Sequence, residues 1–504
     1  MCNHEPSNRI FKVILSLLAA GFVIDFLTRP LLADEDPPNI VFILTDNQGA
    51  WHLGCYGNPD FQTPHIDQLA KEGIRFTRAF SNNAVCSPTR ATFLTGLTPS
   101  QHGVHRYLAK GGAQMGPDAY YTLEEFTTLP EILSEAGYIC GLSGKWHLGD
   151  NLYPQDGFTF WTTKTHGHST GFIEQEVIDD GKLRIEEKHL SEYWTDRGIE
   201  FIEKSRANHP DQPFFLFLAY NGPYSLSTAV KEPVPSPWSD PYVNHPLPSF
   251  PRPETPHPWQ RNQKELIGDV QIGRNLAGQV TSVDAGVGRI MDTLEELDLD
   301  DNTLVIYTAD QGAVAGHAGF WGMGDHSDPI HGRDGTMHIP MIFRWPGIIP
   351  AHRVEDHLVT NYDFMPSLLS FLGRPMPMQS PTPSPGRDFS PTLSGEELND
   401  WDDVVFYDFE NVRHVRTLDW KYVERLGQAP EFELYDLKSD PDELDNLAGR
   451  SVHANRQERL RDRLHAWFKR HADPKWDLWN GGKSKTKVGT QAYIDAALNK
   501  RRGN

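Results

Sequence analysis

Four cysteines in 504 residues are too few to build a disulfide scaffold. Cys2 lies ahead of the N-terminal apolar run, and Cys86 belongs to a motif described below. Cys55 and Cys140 are left, either as one disulfide in an oxidising compartment or as two free buried thiols. No internal repeat is present, so the chain is not a repeat array. After residue 33 no segment is apolar for long enough to span a bilayer. Positive charge is also scarce: 47 Lys and Arg stand against 68 Asp and Glu, and the net charge of −21 argues against nucleic acid or an anionic membrane as a partner.

What is there is a globular composition. Hydrophobic residues at 38% and charged residues at 23%, with 13 Trp, 16 Tyr and 26 Phe, fit neither disorder nor a coiled coil. At this length one large domain with a smaller companion is expected. Arg9 and Lys12, the apolar run Phe11 to Leu27 broken by Asp25, and Leu31 to Ala33 before an acidic stretch read as a secretory signal peptide over residues 1–33. The run is short for a membrane span; an uncleaved anchor or a misassigned start is the alternative. Export to the periplasm or the medium is expected, with no stable membrane association.

Asn39 to Thr45 (NIVFILT), Phe214 to Ala219 (FFLFLA) and Thr303 to Thr308 (TLVIYT) are continuous β-branched and aromatic runs, as strands buried on both faces are. Helical spacing of apolar residues occupies Ile66 to Lys71, Leu129 to Ala136 and Val280 to Leu297. Alternation of the two predicts an α/β sheet covered by helices, with ligands beyond the carboxyl ends of its strands. Lys231 to Gln260 holds ten prolines and predicts an extended insertion without regular structure. A second Pro-rich stretch, Arg374 to Arg387, precedes short strand-like pieces. The predicted division is therefore a catalytic domain over 34–395 and a C-terminal subdomain over 396–504.

Cys86 to Arg90 reads CSPTR and continues as ATFLTG. Taken by itself it is a turn in which Pro88 starts a helix whose N-terminus suits an anion. CxPxR followed by a TG element also resembles the signature of the type I sulfatases, the formylglycine-dependent branch of the alkaline phosphatase-like superfamily. The resemblance implies a large, mostly parallel sheet between helices and a small C-terminal antiparallel sheet. It also implies that a maturation enzyme oxidises Cys86 to formylglycine, whose hydrate attacks the sulfur of a sulfate ester and later expels the sulfate.

The same resemblance extends over nearly the whole mature chain. Asp46 and Asn47 after the first strand, and Asp310 and Gln311 after TLVIYTA, match the family's two metal-ligand pairs, with Asn47 where a second Asp is usual. With the modified Cys86 they imply an all-oxygen shell for calcium, magnesium being the alternative. Asp and Asn at such positions also cap loops with no metal. GKWHLG, Gly144 to Gly149, implies that Lys145 holds the sulfate and His147 hydrogen-bonds the hydrated aldehyde, the two side chains projecting to one side of an extended segment. Arg90 is implied to stabilise that group, Asp310 to assist its deprotonation, and Arg90, Lys145 and the metal to form a locally basic pocket.

Two departures stand out. In YNGPYSL, Tyr220 to Leu226, Tyr224 occupies the position of a family histidine, and in GFWGMGDHS Met323 occupies that of a lysine. Histidines cluster nearby at His317, His326, His331 and His338; His317 or His326 is the candidate to replace the lost cation or leaving-group acid, and His147 or one of the cluster is expected to return a proton to the leaving alcohol. Tyr224, His317 and His326 are accordingly candidate substrate contacts. HIPMIFRWPG, NYDFMPSLL, DWKYV and ELYDLKSDPDELDNLA resemble structural segments of the family. Arg413, Arg416 and Lys421 face either the substrate or, more simply, solvent. Trp238, Tyr242 and Trp259 either stack on sugar rings or fold the insertion onto the body. The expected activity is hydrolysis of an organic sulfate ester, small molecule or glycan and most simply a carbohydrate. The alternatives are a phosphonate or phosphate ester hydrolase of the same superfold and a non-catalytic relative that binds sulfated glycans.

Overall fold

The computed structural model describes residues 37–155 and 157–503, so the signal-peptide reading and Cys2 lie outside the described residues. Ten strands form the main sheet: β1 (Asn39–Thr45), β2 (Ile74–Phe76), β3 (Ile139–Gly144), β4 (Phe158–Lys164), β5 (Gln175–Asp179), β6 (Lys182–Glu186), β7 (Phe214–Ala219), β8 (Thr303–Ala309), β9 (Met341–Arg344) and β10 (Arg353–Glu355). Their order is β10-β2-β9-β8-β1-β7-β3-β4-β5-β6. The five central strands, β8-β1-β7-β3-β4, are all parallel, and antiparallel pairs flank them on both sides. This is the mixed, mostly parallel sheet expected from the sequence.

β1 shows why these residues build that sheet. Ile40, Phe42 and Leu44 project into one core and Val41 and Ile43 into another, all fully buried. Period-two alternation thus feeds two apolar layers, which is why the strand reads as one unbroken apolar run. Helices α1 (Pro64–Glu72), α3 (Leu190–Asn208) and α4 (Val270–Glu296) cover the face of Val41. Helices α2 (Cys86–Thr95) and α5 (Asn361–Phe371) cover the face of Phe42, whose ring lies 5.8 Å from Phe93 and 4.9 Å from Phe364. Helix α4 starts ten residues before the periodic pattern was expected to begin, because Asp269 caps it by accepting the Gln271 N–H at 2.8 Å. Among the described residues no helix is long and apolar enough to cross a membrane.

The Pro-rich segment contains only single 3-10 turns, at Ala229–Lys231 and Asp240–Tyr242. Its aromatics pack inward: the Tyr242 hydroxyl accepts the Gln62 N–H at 2.7 Å, Trp238 packs against His189, and Trp259 lies under Arg333 and Arg425. Cys55 and Cys140 are both free, so the disulfide option is not realised.

A four-stranded antiparallel sheet, β11 (Val404–Phe409), β12 (Val412–Thr417), β13 (Trp420–Arg425) and β14 (Phe432–Asp436), packs with helix α6 (Ala454–His471). Here the expectation of a solvated basic face is corrected: Arg413, Arg416 and Lys421 are all buried. Arg413 pairs with Asp408 and Asp477, Arg416 with Asp334, and Lys421 with Asp334 and Glu443. Their partners are carboxylates rather than solvent, and some are distant in sequence, Asp334 lying 82 residues from Arg416 and Asp477 lying 64 from Arg413.

One buried carboxylate makes the fold sensitive to pH. Asp284 on α4 accepts the Ile66 N–H at 2.8 Å and so caps α1 from across the core. Burial raises it to about 7, whereas an unfolded Asp titrates near ~3.9. Between those values the folded chain carries a proton that the unfolded chain lacks, so stability falls as pH rises, by up to about 1.4 kcal/mol per pH unit. Asp284→Asn keeps the acceptor and removes the titration. Denaturant midpoints from pH 4 to 7 should fall for the wild type relative to the variant; parallel curves would contradict this assignment.

Candidate active site

Four neighbouring parallel strands end on one side of the sheet, and each delivers a functional group. β1 leads into Asp46 and Asn47, β8 into Asp310 and Gln311, β7 into the segment bearing Tyr224, and β3 into Lys145 and His147. β1 and β8 run in register, Thr45 opposite Ala309, so the two aspartates that follow are forced together. Gly144 closes β3 at φ 123°, and a side chain there would run into the Ala219 carbonyl. Without one, the Lys145 N–H reaches that carbonyl at 2.7 Å.

Helix α2 supplies Cys86 as its first residue and Arg90 one turn on, and is buried along its whole length. Val85 offers no side-chain cap, so the positive end of the helix dipole lies where Cys86 begins the helix. One carboxylate oxygen each from Asp46 and Asp310 and the Cys86 sulfur all lie within 4.8 Å of one another. Arg90 Nε donates to Asp310 Oδ2 at 2.9 Å, its Nη1 donates to the Lys145 carbonyl at 2.7 Å, and its Nη2 stands 3.5 Å from Asp46 Oδ2. Lys145 Nζ pairs with the same Asp46 oxygen.

The electrostatics follow from that crowding. Burial and the neighbouring Asp46 raise Asp310 to about 6, with Arg90 and Lys145 opposing the shift. Burial works against the Lys145 charge, but Asp46, Cys86 and Asp310 together outweigh it and hold the ammonium above its ordinary value. Burial, then Asp46, pushes the Cys86 thiol well up, which is the opposite of what a thiolate nucleophile requires.

Oxygen donors converge at this pole: the Asp46 and Asp310 carboxylates, Asn47 Oδ1 and the Gln311 amide. Gln311 Nε2 donates to Asn47 Oδ1 at 2.7 Å, while its Oε1 faces Thr89 Oγ1 at 3.3 Å. Exchanging the amide oxygen and nitrogen keeps a partner at Thr89 and turns Oε1 inward, and Asn47 Nδ2 is buried with no partner at all. Two buried carboxylates with two amide oxygens fit a hard divalent cation. Met323 belongs to the same pole, its sulfur 3.5 Å from Gln311 Nε2.

His147 sits at φ 63°, so GKWHLG is bent rather than extended as expected, and the His147 ring nevertheless lies near the Lys145 ammonium. Its Nε2 contacts the Leu108 carbonyl at 2.9 Å and therefore carries the ring proton, which leaves Nδ1, buried and unpartnered, as an acceptor. Burial and the nearby Lys145 ammonium keep the ring neutral. Ser87 Oγ accepts the Leu108 N–H at 3.0 Å and donates to the His147 carbonyl at 2.8 Å, closing a link from α2 to both segments. Nothing in the sequence pattern singled out Ser87, Thr89 or Leu108.

Tyr224 lies in the site, with Lys145 Nζ 5.5 Å from its ring centre. The histidine cluster is arranged otherwise than expected. His317 packs edge-on against Trp51 at 4.5 Å, His331 packs on Phe320, and His338 contacts the Thr77 carbonyl at 2.8 Å. His326 stands 3.8 Å from Asp325, which Arg106 binds in turn. None of these rings makes a hydrogen bond to Cys86, Lys145 or Tyr224. The imidazole that does reach Tyr224 is His168, its Nδ1 3.2 Å from the tyrosine hydroxyl.

A parallel sheet carrying this nucleophile helix, carboxylate pair and lysine is the architecture of a phosphate- or sulfate-ester hydrolase, and the comparisons decide between them. The Sulfatase family model matches residues 38–374, so the chain belongs to the sulfatase family and is a sulfuric ester hydrolase. A second model, described as "N-sulphoglucosamine sulphohydrolase, C-terminal", matches 330–470. The chain is 25% identical to an N-acetylglucosamine-6-O-sulfatase of Bacteroides thetaiotaomicron, covering 91% of each chain. It is 30% identical to an N-acetylgalactosamine-6-sulfatase of Canis lupus familiaris, over 77% of this chain and 71% of that one. A solved structure of a protein in complex with its substrate D-glucosamine-2-N,6-O-disulfate shares the fold at a TM-score of 0.68, with 24% identity, over 86% of this chain and 98% of that one.

Arg90 is the group whose loss the site should tolerate least. Arg90→Gln leaves Asp46 and Asp310 with Lys145 alone, and an unpaired buried charge costs about 3–5 kcal/mol. Urea unfolding should show a loss of that order, recovered in part by millimolar calcium; an unchanged midpoint would mean that the pair is not held as charged groups.

Proposed function

We propose that Cys86 is converted to formylglycine and that the enzyme removes sulfate from carbohydrate sulfate esters, with calcium held by Asp46, Asn47, Asp310, Gln311 and the modified side chain. The observation that carries this reading is the setting of Cys86. A thiol sealed at a helix N-terminus beside two carboxylates is kept protonated, yet an oxygen nucleophile there would meet a cation, Arg90 and the helix dipole together.

Formylglycine supplies a hydroxyl nucleophile that can later expel the sulfate, and the cation supplies charge for orienting the anion. The remaining roles belong to the chain's own groups. Lys145 and Arg90 hold the sulfate oxygens. His147 Nδ1 accepts a hydrogen bond from the nucleophile, since Leu108 occupies its other nitrogen. Asp310 is placed to receive the nucleophile's proton. Because Cys86 is only 2% exposed, the maturation enzyme must act before the chain folds.

An amino-sugar 6-sulfate is the proposed substrate class, supported by the named activities of the two relatives. We further propose that residues 1–33 are a leader removed on export, and that the catalytic domain ends near residue 395, before the four-stranded sheet begins at Val404.

Mass spectrometry of the Cys86 peptide, from a host with the maturation enzyme, should show the aldehyde and its hydrate. Cys86→Ala should lower kcat on N-acetylglucosamine 6-sulfate and N-acetylgalactosamine 6-sulfate by at least about 10³-fold, the scale of losing a nucleophile. An intact thiol in fully active enzyme would refute the mechanism. The competing reading is a phosphonate ester hydrolase of the same superfold, and dominant hydrolysis of aryl phosphonates over sulfates would establish it. Chelation should lower the melting temperature as well as the activity, with calcium restoring both; restoration by magnesium alone would reassign the ion.

A further inference from the structure

Tyr224 and Met323 leave the site without the histidine and lysine that the resemblance implies, and at Tyr224 the structure supplies an imidazole from another part of the chain. His168 lies in the loop between β4 and β5, far in sequence from every motif. Its ring stands edge-on to His147, with centres 6.2 Å apart, and edge-on to Tyr107 at 5.0 Å, while Nδ1 meets the Tyr224 hydroxyl at 3.2 Å.

The loop is pinned on both sides of this residue. The Gly167 N–H donates to Gln114 Oε1 at 3.0 Å, and Ser169 Oγ accepts from Asn221 Nδ2 at 3.1 Å. Lys164 Nζ donates to the His168 carbonyl at 3.1 Å. Gly167 lies against the His147 imidazole so closely that a Cβ would overlap the ring. Any larger residue there would push His168 away from the cavity. A surface loop that merely connects two strands needs none of these constraints.

The hydrogen bond to Tyr224 determines what the ring can do. The Tyr224 hydroxyl has no other partner among the described residues, and burial, followed by the nearby Cys86 and Asp46, keeps it protonated. Burial, then the Lys145 ammonium, keeps the His168 imidazole neutral. With no other acceptor for its proton among the described residues, the Tyr224 O–H is satisfied by donating to Nδ1 of the neutral ring, which puts the ring proton on Nε2, an atom that makes no hydrogen bond to any described residue.

We infer that His168 is a catalytic residue whose Nε2–H hydrogen-bonds the oxygen that leaves with the sugar, and that Tyr224 is the positioning residue that fixes its tautomer. This inference rests on the sulfatase reading and deepens it. As the bond between sulfur and the leaving oxygen breaks, its electron pair goes to that oxygen. Nε2–H stabilises the developing charge, and a water proton completes the alcohol. A neutral imidazole can act in this way without a full proton transfer. The inference also accounts for the tyrosine, which donates to a ring where a second histidine would compete for its proton.

The test is the dependence on leaving group. His168→Ala should lose about 10²-fold or more in kcat/KM on an amino-sugar 6-sulfate, whose leaving alkoxide is a strong base. On p-nitrophenyl sulfate, whose phenolate needs little help, it should lose less than about 10-fold. Tyr224→Phe should show the same pattern with smaller losses. Equal losses on both esters would overturn the assignment and leave His168 as a sulfate-binding or structural residue. Melting temperatures near that of the wild type exclude misfolding as the cause. Independently of turnover, 15N NMR of the histidines, assigned with His168→Ala, should find the His168 ring neutral with its proton on Nε2, and Tyr224→Phe should shift it toward a mixture of tautomers. A proton on Nδ1 in the wild type would refute the geometry outright. A wild-type enzyme inactive on every sulfate ester would instead defeat the sulfatase reading, and the NMR result would still decide the tautomer.

Discussion

Asp46 and Asp310 are held together by backbone hydrogen bonding that neither side chain can evade. They follow an in-register pair on adjacent parallel strands, and the Asp310 N–H is itself bonded to the Thr45 carbonyl at 3.0 Å. Two carboxylates about 4 Å apart in a partly screened interior repel by about 4 kcal/mol, and removal from water adds to the cost. Much of the surrounding structure is the compensation. Arg90 from α2 and Lys145 from β3 bring two positive charges, and the backbone N–H groups of Asn47 and Gln311 bond Asp310 Oδ1 at 3.3 and 2.8 Å. Two carboxylates and two cations leave the cluster near neutral, so a divalent ion held there would make it positive enough to receive an anion on a chain whose net charge is −21.

The C-terminal sheet serves the same end from a distance. Its first strand binds the loop just ahead of Cys86: Asn83 Nδ2 donates to the Asp408 carbonyl at 2.7 Å, and the Asp408 N–H donates to the Asn82 carbonyl at 3.0 Å. Lys421 grips the segment that follows Met323 and His326, through the Gly332 carbonyl at 3.0 Å and Asp334 at 2.5 Å. The start of the nucleophile helix and the loop along the metal pole are thus fixed to one rigid four-stranded element. Buried ion pairs suit that purpose because breaking one leaves an uncompensated charge, so the docked arrangement is sharply defined even where the net gain in stability is small.

These two kinds of constraint differ in how far they can be read from sequence. Asp46, Asp310, Lys145 and Cys86 each follow a buried strand or open a helix, so local pattern and a few contiguous motifs were enough to find them, and the central strands were legible for the same reason. Partners of Arg413, Arg416 and Lys421 lie 64, 82 and 89 residues away in the chain, and a basic residue whose partner cannot be seen reads as solvated. The histidines illustrate the same limit. His317 and His326 lie near the Met323 position in sequence, but their rings pack on Trp51 and beside Asp325, whereas His168, 56 residues before Tyr224, is the one that reaches it. Spacing along the chain carried no information about that contact, because the β4–β5 loop returns to the site through a sheet topology that only the fold supplies.

The substitutions at Met323 and Tyr224 bear on which anion the site prefers. A sulfate monoester carries one negative charge, whereas a phosphate monoester carries about −1.5 to −2 near neutral pH. A site lacking a lysine and a histidine compensates the second charge poorly, whereas a cation at the carboxylate pole with Arg90 and Lys145 would suffice for the first. Replacing cations by a buried tyrosine and a neutral imidazole therefore lowers affinity for both anions, but lowers it more for the more highly charged one. Geometric likeness between tetrahedral sulfate and phosphate gives little basis for discrimination, so charge is the property left to separate them. On that argument the loss of the two family cations would sharpen selectivity for sulfate over phosphate monoesters, and Tyr224 and Met323 would be part of how the site distinguishes its substrate.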